Sequence, residues 1–192
     1  MKSSVFTTPL INAIFRALSG FGLWLSGWKV IPPADIKPPY VVIGAPHTSN
    51  WDFLLMLAAV FLTRMDVKWM GKNSLFKPVV GSILRWFGGI PIDRSQSHNV
   101  VKQMVSEFRA NEALNLIIAP EGTRKKVAQW KSGFYHIAHQ AGVPIMLGVI
   151  DADAREVRFA GLFKPGGNYE EDLPLILEYY RNAKGINPEN GF

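Results

Sequence analysis

A chain of 192 residues suits one compact domain and is too short for two of ordinary size. With 48% hydrophobic and 19% charged residues it is too apolar for a disordered chain, and the absence of cysteine excludes disulfide frameworks, thiolate metal sites and cysteine nucleophiles. Residues 1–132 carry sixteen Lys/Arg against seven Asp/Glu, a net +9, and residues 133–192 carry five against eight, a net −3, so the upstream part has the basic character that attracts nucleic acid, anionic lipid or phosphorylated small molecules.

In chain order, the first feature is a helical stripe. Between Pro9 and Trp28 the residues Leu10, Ile14, Leu18, Phe21, Leu25 and Trp28 recur at steps of three and four, with Asn12, Arg16 and Ser19 on another face. Leu23 and Trp24 broaden the apolar side, and Gly20 and Gly22 are expected to bend or split the helix. Flanked by Lys2, Arg16 and Lys29, the stripe has the apolar face and basic rim of an interfacial helix, and Trp24 and Trp28 suit the head-group boundary; a core helix packed on the sheet is the alternative. Arg16 divides the apolar stretches 3–15 and 17–28, so neither reaches the roughly 18–20 residues of a membrane span, nor offers the unbroken centre of a secretory signal. Residues 1–30 are therefore expected to form an amphipathic interfacial segment that is not exported, and Pro32, Pro33 and Pro39 separate it from a main domain over 38–185.

From Tyr40 onward, short β-branched runs at 40–45, 67–71, 89–92, 114–119, 145–150 and 156–160 read as strands. Stretches with helical spacing at 51–64, 78–87, 97–110 and 133–141 lie between them. This alternation predicts a single α/β domain with a largely parallel or mixed sheet flanked by helices. The Gly-, Pro- and Asn-containing tail from about Asn187 is expected to fray.

The polar residues cluster after the strands. Pro46-His47-Thr48-Ser49-Asn50-Trp51-Asp52 follows the first, Lys72 the second, Asp93-Arg94 the third and Pro120-Glu121-Gly122-Thr123-Arg124 the fourth, so parallel strands would gather all four at the sheet edge where open α/β folds bind ligands. His47 and Asp52 are near enough across a strand-to-helix turn for the carboxylate to fix one imidazole tautomer, leaving the other nitrogen as a general base. The plainer reading is that Asp52 caps its helix and His47 is a satisfied loop histidine. Arg94, Arg124 and Lys72 would suit a phosphomonoester or pyrophosphate. His136 and His139, three apart on a helix without further ligands, do not make a metal site.

His47-x4-Asp52, Gly89-Ile90-Pro91-Ile92-Asp93-Arg94, Glu121-Gly122-Thr123-Arg124 and Val143-Pro144-Ile145 resemble, in order and separation, the four blocks of the glycerolipid acyltransferase family typified by 1-acyl-glycerol-3-phosphate acyltransferase. Lys72 after Trp69-Met70-Gly71, and Trp130-Lys131-Ser132-Gly133, also resemble family positions, so the likeness covers about 40–150. Pro46, Pro91 and Leu147 depart from the usual residues of the blocks. The resemblance implies acyl transfer from acyl-CoA or acyl-carrier protein to a lysophospholipid hydroxyl in phospholipid biosynthesis, with lysophosphatidate as acceptor. His47 would be the base and Asp52 its orienter. Lys72, Arg94, Glu121, Gly122, Thr123 and Arg124 would shape the acceptor phosphate site. It implies no metal, no cofactor beyond the thioester co-substrate, no nucleic-acid partner, and peripheral attachment at the cytoplasmic face of the cell membrane.

Within the same chemistry the alternative is another acyl acceptor, a different lysolipid or a lipid-linked sugar, and two rival readings lie outside it. A serine hydrolase lacks its Gly-x-Ser-x-Gly elbow here, and Ser49 is crowded between His47 and Asp52. A non-catalytic lipid- or nucleic-acid-binding module accounts for the basic bias but gives no reason for the His47/Asp52 pair.

Overall fold

The computed structural model describes residues 4–34, 37–93, 95 and 97–191. Seven strands form one sheet: β1 (Lys29–Ile31), β2 (Tyr40–Ala45), β3 (Lys68–Lys72), β4 (Gly89–Ile92), β5 (Asn115–Ile118), β6 (Ile145–Asp151) and β7 (Glu156–Phe163). They lie in the order β1-β7-β6-β2-β5-β3-β4, and every neighbouring pair is parallel except β6 with β7. Six helices accompany them: α1 (Pro9–Ser26), α2 (Asn50–Leu62), α3 (Val80–Trp86), α4 (Ser97–Ala110), α5 (Gly133–Ala141) and α6 (Tyr169–Glu178).

Side-chain alternation along the central strand divides the core in two. Val41, Ile43 and Ala45 of β2 point to the side covered by α4, α5 and α6, where Met104, Phe108, Phe134, Ile137 and Ile176 pack. Tyr40 and Val42 point the other way, to Met56, Ala59 and Val60 of α2. Burial on both faces explains why β2 reads as a near-continuous apolar run. Close packing extends to the main chain: a Cβ on Gly44 would come 2.9 Å from Met56 Cε, and one on its register partner Gly148 would come 2.9 Å from Ile43 O.

Helix α1 forms an outer layer on α2. Phe15 stacks on Phe61 with ring centroids 5.1 Å apart, Leu23 is buried, and the helix runs unbroken through Gly20 and Gly22 to a left-handed cap at Gly27. The helix is not split, and neither glycine is needed for close packing: a Cβ on Gly20 would make an ordinary 3.6 Å contact with Leu62, and one on Gly22 would meet nothing within 4 Å. Leu10, Ile14, Leu18, Phe21, Trp24 and Leu25 face outward, Trp24 being 74% exposed, so the stripe is not a core face. Trp28 leaves that stripe. It lies beyond the helix and packs half-buried on the α2 side of the core. Lys2 lies outside the described residues.

Two further elements escaped the pattern reading. Strand β1 is three residues long and pairs along the outer edge of β7. Helix α6 carries Pro174 in its interior and starts at Asn168, whose side chain caps Glu170 N–H ahead of Glu170, Glu171 and Asp172 in the first turn. Nor does the tail fray: residues 188–190 form a 3₁₀ turn, and Asn187 is bonded to Thr48.

Candidate active site

The parallel run β2, β5, β3, β4 brings the segments after all four strands to one edge. The β2–α2 turn carries His47 and Asp52. Asp52 is 1% exposed, and its Oδ2 accepts the N–H groups of Thr48 at 2.5 Å and Ser49 at 2.6 Å. The same oxygen lies 3.5 Å from His47 Nδ1. Asp52 thus caps α2 in a capping box with Ser49 and also faces the imidazole. Asp52 Oδ1 is buried and finds no hydrogen-bond partner among the described residues.

His47 is anchored from the neighbouring strand. Glu121, 4% exposed, accepts its N–H through Oε1 at 2.9 Å, while Oε2 is buried without a hydrogen-bond partner among the described residues. Burial pushes the Glu121 carboxyl above its ordinary value, partly opposed by backbone hydrogen bonds. Glu121 therefore turns inward beneath the His47 main chain and is not among the residues that line the cavity described below. Its carboxylate has exchanged solvent for the His47 amide.

Gly122 turns the chain sharply at φ +66°, a conformation other residues adopt only with strain. Lys131 lies along the space left by its missing side chain, with Nζ 3.0 Å from where a Cβ would sit. Arg124 is exposed, and its guanidinium donates through Nη1 to Asn50 Oδ1, which holds it beside the first turn of α2. The Thr123 hydroxyl accepts Lys125 N–H. Lys131 and Asn50 join the site without having been singled out as site residues. The signal for Lys131 was its place in the Trp130–Gly133 block; Asn50 carried none beyond lying between His47 and Asp52.

Lys72 ends β3 opposite Ile92, exposed and outside the lining of the cavity described next. Arg94 lies outside the described residues. Asp93 before it is exposed, and its hydrogen bonds from Ser95 hold its carboxyl below the ordinary value.

His47 and Asp52 line a cavity of about 1980 Å³. One side is cationic, with Arg124 and Lys131; the other runs apolar between sheet and helices past Met56, Val60, Trp69, Leu84 and Phe87. His136 lines the far side of the cavity, and the His139 ring stacks on Tyr135. Among the described residues no group of three His, Cys, Asp or Glu is placed to hold a metal ion. No helix among them is long and apolar enough to cross a membrane.

Comparison with known proteins bears on this geometry. The chain is 30% identical over 109 residues to the 1-acyl-sn-glycerol-3-phosphate acyltransferase of Escherichia coli K12, covering 53% of this chain and 43% of that protein. It is 26% identical over 191 residues to the mouse 1-acyl-sn-glycerol-3-phosphate acyltransferase alpha, covering 91% and 60%. The chain thus spans about half the length of the curated relatives it matches. The crystal structure of PlsC, the 1-acyl-sn-glycerophosphate acyltransferase of Thermotoga maritima, shares the fold, with a TM-score of 0.61 over 94% of this chain and 82% of that one at 16% identity. The model of the Acyltransferase family matches residues 27–149, a span that opens just before β1, takes in the whole His47–Arg124 edge and closes within β6, and the chain belongs to that family.

Proposed function

We propose that the protein moves a fatty acyl group from an acyl thioester, acyl-CoA or acyl-carrier protein, to the free hydroxyl of a lysophospholipid, with 1-acyl-glycerol-3-phosphate as acceptor, in phospholipid biosynthesis. The observation that carries this reading is the His47 imidazole at the cavity wall with Nδ1 turned to a buried carboxylate. That orientation leaves Nε2 to take the hydroxyl proton as the oxygen attacks the thioester carbonyl. The C–O bond forms, the C–S bond breaks, and the proton passes from the imidazolium to the departing sulfur, which leaves as thiol. Arg124 and Lys131 supply positive charge for the acceptor phosphate, and the apolar arm accommodates acyl carbon. The names of the relatives support the acceptor class.

The direct test is thiol release from acyl-CoA by purified protein, with and without lysophosphatidate. Acceptor-dependent release of thiol together with phosphatidate supports the proposal; thioester hydrolysis that ignores the acceptor overturns it. Arg124→Ala should lower kcat/KM for the acceptor by about 10- to 100-fold, the worth of a lost charged hydrogen bond, and barely alter donor use. Arg124→Lys should rescue poorly because the planar fork that reaches Asn50 and phosphate together is lost. Equal damage to both substrates would move Arg124 to the donor's phosphates.

Both lipid substrate and product reside in bilayers, and we propose that α1 brings the protein to the cytoplasmic membrane surface as a peripheral attachment. Its outward stripe supports this, as does a second apolar group on the 73–86 segment, where Leu75, Val79, Val80 and Ile83 are exposed while Phe76 is buried beneath the Arg85 guanidinium. Binding to anionic liposomes should weaken with salt, and Leu18→Asp or Phe21→Asp should weaken it by roughly 10- to 100-fold, the burial of one large apolar side chain. Both residues are exposed, so thermal unfolding should stay near wild type. Unchanged liposome binding would remove α1 from the interface.

A further inference from the structure

The segment 184–191 returns to the catalytic turn from the far end of the chain. Lys184 O accepts Ala152 N–H at 2.7 Å, and Lys184 Nζ pairs with Asp153 at 2.7 Å, which ties the segment to the β6–β7 turn. Gly185 then presses on Thr48: a Cβ there would come 2.4 Å from Thr48 Oγ1 and 2.5 Å from Cγ2. Thr48 is 2% exposed and has no room to retreat. Ile186 enters a groove of about 350 Å³ between α1 and α2, beside Leu23, Trp51 and Leu55. Asn187 closes the contact, its backbone N–H donating to Thr48 Oγ1 at 3.1 Å and its Nδ2 to Thr48 O at 3.2 Å.

The last of these bonds bears on the chemistry. Thr48 C=O and Ser49 N–H belong to one planar peptide unit. Asn187 Nδ2 holds its oxygen, and Asp52 Oδ2 holds its N–H, the same carboxylate oxygen that faces His47 Nδ1. If the oxygen is released, the plane is free to rotate, the Ser49 N–H swings from Asp52, and the carboxylate loses one of the two amides that aim it. We infer that Asn187 is a positioning residue for the acyl transfer, acting through the Thr48–Ser49 peptide on Asp52, and that Gly185 is small so that the segment can reach. The inference rests on the acyl-transfer reading above.

The test uses the full chain with Asn187→Ala, Asn187→Asp and Gly185→Ala. Asn187→Asp keeps the side-chain size and the main-chain bond to Thr48 Oγ1 but loses the donor to Thr48 O. Each variant should lose about 10- to 100-fold in kcat, the scale expected when a catalytic pair is displaced, with KM for both substrates within about twofold. Melting temperature should fall by no more than about 4 °C in the Asn187 variants. Gly185→Ala combined with Asn187→Ala should be no slower than the slower single variant, because both release the same peptide. In the folded Asn187 variants the Ser49 amide should exchange with solvent faster than in the wild type. A kcat within twofold of wild type overturns the inference, as does a raised KM at unchanged kcat, which would make the segment a substrate wall. A loss of activity matching a loss of folded protein also overturns it. Should wild-type protein transfer no acyl group, the functional reading has failed, and Ser49 exchange alone decides whether Asn187 holds the turn: protection unchanged in Asn187→Asp overturns the positioning role.

Discussion

His47→Ala is expected to lose about 10²–10⁴-fold in kcat, the usual contribution of a positioned general base, with little change in melting temperature. The two halves follow from different parts of the same residue. The imidazole faces the cavity and is partly solvent-exposed, so its removal leaves no large void in the core. What secures this position to the fold is the main-chain N–H, bonded to Glu121 Oε1, and alanine keeps it. KM values should change little, because the imidazole acts on a proton in flight and not on the acceptor phosphate or the acyl chain. Initial-rate kinetics beside a thermal melt measure both halves. A variant within tenfold of wild-type kcat would show that the hydroxyl is deprotonated elsewhere, and the chemistry assigned to this cavity would fall with it.

The position of the turn that carries His47 and Asp52 was legible in the sequence for a physical reason that applies equally to the sheet. Strands buried on both faces, such as β2, must be short β-branched runs, and the residues that leave a parallel strand at its C-terminal end must be polar if that edge binds anything. Short apolar runs bounded by polar or turn residues therefore locate β2 and β4, and the 3.6 period locates α4 and α5. Elements held mainly by partners were not legible. Strand β1 is three residues paired to β7, and nothing in Lys29-Val30-Ile31 announces that pairing. In α6 the Gly166-Gly167 pair and Pro174 masked a helix fixed by its neighbour: Asp172 Oδ2 accepts both Tyr135 O–H and Gly166 N–H at 2.6 Å. Long-range hydrogen bonds were equally silent. Glu121 stands in a block that reads as anion-binding, yet its carboxylate is buried against the His47 amide, and the tail that composition marked as frayed is fastened to Thr48 by Asn187, 139 residues away. Composition reports solvation on average, and single tertiary contacts override it.

Asp52→Asn should cost activity and stability together, and that joint loss separates it from His47→Ala. Asparagine keeps one oxygen for the Thr48 and Ser49 N–H groups, but both bonds cease to be charge-assisted, a loss of about 1–2 kcal/mol and roughly 2–8 °C in melting temperature. Its amide nitrogen must then take one of two poor positions. At the place of Oδ1 it is a buried donor where the carboxylate oxygen already lacks a partner, which adds to the destabilisation. Turned toward His47 it takes the place of Oδ2, meets the Thr48 and Ser49 N–H groups donor to donor, and donates to Nδ1, which forces the ring proton onto Nε2 and leaves the cavity-facing nitrogen unable to accept from a hydroxyl. Either way kcat should fall by about 10²–10⁴-fold, the scale seen when a catalytic histidine loses its orienting carboxylate. The pair acts as a unit, so Asp52→Asn placed on His47→Ala should slow the enzyme no further while still lowering its melting temperature. Additive losses in kcat would mean that Asp52 serves the reaction by a route that does not pass through the imidazole. The remaining route would then be the turn itself, whose backbone Asp52 holds in place through the Thr48 and Ser49 N–H groups.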